Sequence, residues 1–282
     1  MKNFAGFFEG RENTELYYQC WLPDEESTSK ANIIAIHGWA THSDRIKYPA
    51  KYLTGKGYTV YSFDLRGHYR NIREIPGHIE SIDHIQKDIV LFRELIKEQT
   101  ENRKTFLIGH SFGGLISLIF AINHPSLPGV LVSSPQLGST LDVSTGKKIA
   151  QKLAGPFAKI NPMKVVDLNI PQNQLTSDLE ILKEHIADKN KLEQMTVKSY
   201  AEMKDSMKWG LKNADKLTCP VFIMQAGKEK IVDKKKTKEF FEKVESRDKK
   251  YKEYDGFLHE LWNEKRREQV YRDMWIWLEK HL

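Results

Sequence analysis

A chain of 282 residues with 40% hydrophobic content can bury one substantial core and a smaller appendage, and it has no stretch approaching the roughly 20 apolar residues a membrane span requires. Two cysteines, Cys20 and Cys219, exclude a disulfide framework and read as buried thiols of a soluble, cytoplasmic protein. The net charge of +6 raises nucleic acid as a partner, but the basic residues are spread along the chain and no nucleic-acid motif occurs, so none is expected.

The N-terminal residues up to Glu9-Gly10-Arg11 alternate as in a β-hairpin and lack the long apolar region of a signal peptide. Strands are predicted over Leu16 to Leu22, antiparallel to the rest, and then over Asn32 to Ile36, Thr59 to Phe63, Thr105 to Ile108 and Gly129 to Ser133. Val221 to Ala226 and Lys250 to Tyr254 complete the set. Helices are expected after Tyr48, over Ile82 to Glu98, behind Ser111, over Lys234 to Val244 and over Lys265 to Leu282. Short strands alternating with amphipathic helices give an α/β fold, a mostly parallel central sheet with helices on both faces. The alternation stops between Gln136 and about Lys216. The core is therefore read as residues 1–136 and 217–282, with 137–216 an inserted helical cap over the carboxyl edge of the sheet. Lys147 to Ile160 carries Ile149, Leu153, Phe157 and Ile160 on one side. That face suits packing on the core or peripheral contact with lipid aggregates.

Gly109-His110-Ser111-Phe112-Gly113 follows an apolar strand and opens a helix. A strand that turns sharply into a helix lifts a serine hydroxyl out of the sheet, and side chains at the flanking glycines would collide across the turn. Serine needs a base to take its proton, and that base needs orienting. His259, in the loop after Lys250 to Tyr254, is assigned as general base and then acid. Asp233, ending the loop after Val221 to Ala226, is assigned as its orienter, with Glu229 as the rival acid and an N-cap as the alternative role for Asp233. The oxyanion donors are read as the backbone N–H groups of Phe112 and Trp39, where Gly38 permits a tight turn. His37 and His110 are read as supports of the loops around the site. The ten histidines offer no metal set, no phosphate-cradling or dinucleotide loop occurs, and no cofactor is expected.

The chain resembles the α/β-hydrolases of the monoacylglycerol lipase and lysophospholipase group, also classed with serine aminopeptidase-like hydrolases. The matching pieces are His37-Gly38 with His42-Ser43-Asp44-Arg45, Phe63-Asp64-Leu65-Arg66-Gly67-His68, the Ser111 elbow, Gly227 to Asp233, and His259-Glu260-Leu261-Trp262-Asn263-Glu264. The resemblance implies an α/β-hydrolase fold and hydrolysis of a carboxylic ester with a single acyl chain through an acyl-enzyme on Ser111, with Arg45 and His110 as substrate-binding residues. Monoacylglycerol is the first substrate implied, then a lysophospholipid or a general carboxylic ester. A peptide or carbon–carbon substrate for the same triad and a non-catalytic binding protein are the remaining readings. Three departures bear on the head group: Tyr69, Arg70 and Asn71 follow Arg-Gly-His, Thr41 stands where an acidic residue is common, and Trp262 where a second histidine often follows.

Overall fold

The computed structural model describes residues 1–24, 29–140 and 161–282. The core of the protein is an eight-stranded sheet. Its first two members, β1 (Lys2–Gly10) and β2 (Thr14–Leu22), form the expected N-terminal hairpin, and β2 pairs antiparallel with β4 (Tyr58–Phe63). From there the sheet is parallel through β3 (Ala31–Ile36), β5 (Thr105–His110), β6 (Val130–Ser133), β9 (Val221–Ala226) and β10 (Lys249–Tyr254). The interior strands are continuous apolar runs because helices cover both faces.

On one face, α2 (Ile82–Gln99), α3 (Phe112–Asn123) and α6 (Lys234–Lys243) bury Ile89, Phe92, Leu115, Leu118 and Phe240. On the other, α1 (Lys47–Thr54) and α7 (Arg267–Lys280) bury Leu53, Val270, Met274, Trp277 and Leu278. The chain leaves β3 for β4 on one side and reaches β5 on the other. Strand order therefore reverses between β3 and β5, and the crevice outside their carboxyl ends is where sheets of this kind place a site.

Between β6 and β9 lie α4 (Leu179–Ala187), α5 (Val197–Lys212) and a two-stranded antiparallel sheet of β7 (Val165–Asp167) and β8 (Gln194–Thr196). The sequence pointed only to helices here. Three-residue strands are too short to give a periodic signal, although Val165, Val166 and Thr196 are β-branched. The amphipathic stretch Lys147 to Ile160 lies outside the described residues. Among the described residues, no helix is long and apolar enough to cross a membrane.

Candidate active site

β5 ends one residue before Ser111, and α3 begins one residue after it. Ser111 sits at φ 54° and ψ −117°, a conformation that costs a non-glycine residue about 1–3 kcal/mol. The surrounding backbone enforces it. Ser111 N–H donates to the Ser133 carbonyl at 2.9 Å, and the Ser111 carbonyl accepts from the N–H groups of Leu115 and Gln136, each at 3.0 Å. A methyl group at Gly109 would lie 2.3 Å from the Gly113 carbonyl oxygen, and one at Gly113 would lie 2.3 Å from that of Ile36. Backbone cannot retreat as a flexible side chain does, so both positions require glycine.

Ser111 Oγ lies 2.9 Å from His259 Nε2, and His259 Nδ1 lies 2.8 Å from Glu229 Oε2. The three residues come from the ends of β5, β9 and β10, and both the imidazole and the carboxylate are buried. Glu229 Oε1 accepts from the backbone N–H groups of Lys230, Ile231 and Val232 at 3.0, 2.8 and 3.2 Å. Burial works to raise the Glu229 carboxyl, but the His259 imidazole and these backbone donors outweigh it, and the net shift is downward. Glu229 therefore stays an anion facing Nδ1.

Asp233, expected from the sequence to orient the imidazole, caps α6 instead. Its Oδ1 accepts from the N–H groups of Lys235 and Lys236 at 2.9 and 3.4 Å. A carboxylate directly before a helix satisfies the helix's unpaired N–H donors. Glu229 sits four residues earlier, where the loop first leaves β9, and its longer side chain spans the distance to His259.

Gly38 places the loop after β3 against the elbow: a Cβ there would meet Ser111 Cβ at 3.4 Å. The rings of Trp39 and Phe112 meet edge to face at 5.0 Å. The Phe112 N–H belongs to the first turn of α3, whose donors have no partner within the helix. His37 ties two loops together, with Nδ1–H donating to the Gly38 carbonyl at 2.8 Å and Nε2 accepting from Leu65 N–H at 2.9 Å.

Burial holds His37 and His68 down to about 3, and their rings are 5.2 Å apart. Both are neutral in the folded protein, whereas the unfolded chain takes up their protons near pH 6.5. Their stabilising contribution is complete above pH 6.5 and is lost as pH falls toward 3, at about 1.4 kcal/mol per pH unit for each ring. His42 works in the opposite sense. Burial opposes its charge, but Asp44 and Asp188 outweigh burial and raise it, so its contribution is complete below pH 6.5 and lost as pH rises through the raised value. His110 is held down to about 3 as well, and the contribution of His42 is already complete in this range, so with three rings losing stability Tm is expected to fall by about 10 °C or more between pH 6 and pH 4. The slope is expected to flatten in His68→Asn, and a thermal melt series against pH checks both.

Arg45 is buried in the turn Ser43–Ile46, with Nη2 3.8 Å from Glu260 Oε2, and among the described residues its Nε and Nη2 have no hydrogen-bond partner. The His110 ring packs 4.8 Å from His259 and 5.8 Å from Trp262, and its Nδ1 is 3.2 Å from the Ser133 carbonyl. Burial, then the neighbouring His259, hold His110 down to about 3, so it stands as a neutral wall behind the imidazole. The sequence reading passed over Glu260, which is buried beside His259 and bonded to His185 at 2.7 Å. Its partner is 75 residues away, and nothing in the local pattern announces it.

A serine on a strand-to-helix elbow, a histidine and an acid from later strand ends, and a mostly parallel sheet with two helical layers define an α/β-hydrolase. Residues 27–266 match the family described as serine aminopeptidase, S33, and the chain belongs to that family. It is 29% identical over 245 residues to phospholipase YtpA of Bacillus subtilis, covering 86% of this chain and 92% of that protein. Human monoglyceride lipase is 26% identical over 260 residues, 88% of this chain and 81% of that one. The crystal structure of Paleococcus ferrophilus monoacylglycerol lipase superposes with a TM-score of 0.84 at 25% identity, covering 95% of this chain and all of that one. A soluble variant of the Saccharomyces cerevisiae monoglyceride lipase, in complex with a substrate analog, gives 0.86 at 23% identity, with 98% and 94% covered.

Proposed function

We propose that the protein hydrolyses carboxylic esters bearing a single acyl chain, in the manner of a monoacylglycerol lipase, through an acyl-enzyme on Ser111. The observation that carries this reading is the continuous path from Ser111 Oγ to His259 Nε2 and from His259 Nδ1 to Glu229. As Oγ attacks the ester carbonyl, its proton passes to Nε2. Glu229 holds the other proton on Nδ1 and balances the imidazolium. The backbone N–H groups of Trp39 and Phe112 receive the oxyanion. His259 then protonates the departing alcohol and activates the water that releases the fatty acid.

The surroundings of Arg45 favour a neutral head group. Its charge is answered by Glu260 at 3.8 Å and by the nearby carboxylates of Glu184 and Asp188, which leaves little positive potential for a phosphate. The unpartnered Nε and Nη2 still offer donors to a hydroxyl. Residues 137–216 act as the cap in this reading. Exposed Leu179, Ile186 and Trp209 support peripheral contact with lipid aggregates, and the protein works in the cytoplasm. A lysophospholipid is the second reading, favoured by the similarity to a phospholipase.

Hydrolysis of 1-monooleoylglycerol, lysophosphatidylcholine and an aminoacyl anilide, measured side by side, separates these readings. The monoacylglycerol is expected to turn over with kcat/KM at least about tenfold above the lysophospholipid, that is about 1.4 kcal/mol of discrimination, with no cleavage of the anilide. A preference for lysophospholipid would sink the head-group assignment, and cleavage of the anilide alone would sink the esterase reading.

A further inference from the structure

Helix α4 touches both loops that carry the chemistry, and it does so through buried charge. At its C-terminal end, His185 Nε2 lies 2.7 Å from Glu260 Oε2, with both side chains about 5% exposed. Three residues later, Asp188 Oδ2 lies 2.8 Å from Nε2 of His42, on the loop that supplies Trp39. The main chain repeats the pattern. The carbonyls of Gln174 and Leu175 accept from the N–H groups of His259 and Glu260 at 3.3 and 2.8 Å, and Leu192 N–H donates to the Ala40 carbonyl at 3.0 Å. One segment between β6 and β9 thus grips the loop of the base and the loop that carries Trp39.

Glu260 is the centre of the first grip. A carboxylate this deeply buried is costly unless it is paired. Oε2 accepts from Asn263 Nδ2 at 2.6 Å as well as facing His185, and Arg45 stands 3.8 Å away. Burial works to raise the Glu260 carboxyl, yet His185 first, then Arg45 and His110, hold it far below the usual carboxylate range. The His110 ring, which packs 4.8 Å from that of His259, feels the charges of Glu260 and Glu229. None of these groups takes part in bond making on Ser111, and Glu229 orients the His259 ring; what these contacts bear on is the position of the loop that carries it.

We propose that α4 is a brace for catalysis, with Glu260 and His185 as positioning residues that set the His259 loop only when this segment is seated. The proposal rests on His259 being the base for Ser111. The brace couples the insertion to the chemistry. Movement of α4 away from the sheet would leave Glu260 charged and partly unpaired, and would free the backbone of His259 and Glu260. Displacements of about 1 Å at a base cost on the order of 100-fold in rate.

The test compares His185→Leu, His185→Gln, Glu260→Gln and Ser111→Ala on p-nitrophenyl butyrate, with Tm recorded for each. His185→Asn serves as a folded alternative, since it keeps a polar side chain too short to reach Glu260. His185→Leu and His185→Asn are expected to lower kcat by about 10- to 100-fold with KM within about twofold. His185→Gln, whose amide can donate from nearly the position of the imidazole Nε2, is expected to recover to within about threefold of the parent. Glu260→Gln is expected to lower kcat in the same range as His185→Leu, with KM within about twofold. If Ser111→Ala is inactive while His185→Leu, His185→Asn and Glu260→Gln keep the parent kcat, the brace is overturned and the catalytic reading stands. If Ser111→Ala retains activity, both fall.

Discussion

Ser111→Ala is expected to lower kcat for ester hydrolysis by about 10⁴- to 10⁶-fold, with KM within a few-fold and Tm within about 2 °C of the parent. The loss is large because the change removes the atom that forms the acyl-enzyme and leaves His259 with no proton to take. It is not total, because donors aimed at the oxyanion and the binding surface remain, and these alone retain a residual rate over water. Stability is expected to stay put for a structural reason. Alanine keeps the Cβ that makes φ 54° costly, and the hydrogen bonds enforcing the elbow run through the Ser111 backbone. A fluorophosphonate probe should label the parent and leave the variant unlabelled. Retention of more than about a hundredth of the parent kcat by a correctly folded variant would refute Ser111 as nucleophile.

The elbow was legible because its chemistry is local: a glycine on each side of a serine, an apolar strand before it and a helix after it. The sheet was legible for the same reason, with the apolar runs marking interior strands and the hairpin marking the antiparallel edge. The choice between Glu229 and Asp233 is a question of reach across space, and spacing along the chain answers it poorly. Asp233 looked well placed because it precedes a helix, but that same position commits its oxygen to Lys235 and Lys236 N–H. The N-cap role that the sequence offers as the alternative for Asp233 is the one it takes, and the rival acid Glu229 is the one that faces His259. Glu260 falls in a stretch that carries the family resemblance, but its pairing with His185, 75 residues away, left no trace in the sequence. The short strands β7 and β8 were invisible because three residues cannot display a period.

Glu229→Gln is expected to lower kcat by about 10³-fold or more, while Asp233→Asn stays within about twofold of the parent. The first outcome follows from the bonding around Glu229. Its Oε1 accepts from three backbone N–H groups, so in the glutamine variant those donors hold the amide oxygen at that position. The amide NH₂ then faces His259 Nδ1 across the 2.8 Å that Oε2 spans in the parent. Nδ1 must accept rather than donate, the imidazole proton moves to Nε2, and Nε2 can no longer take the proton of Ser111. Geometry is preserved and the tautomer is wrong. Asparagine, by contrast, caps helices about as well as aspartate, so Asp233→Asn leaves α6 intact. Asp233→Ala should cost about 1 kcal/mol of stability with kcat unchanged. Measuring kcat and Tm for the three variants on one ester separates the two acids. A thousandfold loss in Asp233→Asn, with Glu229→Gln near the parent rate, would transfer the orienting role back to Asp233 and leave Glu229 as a loop anchor.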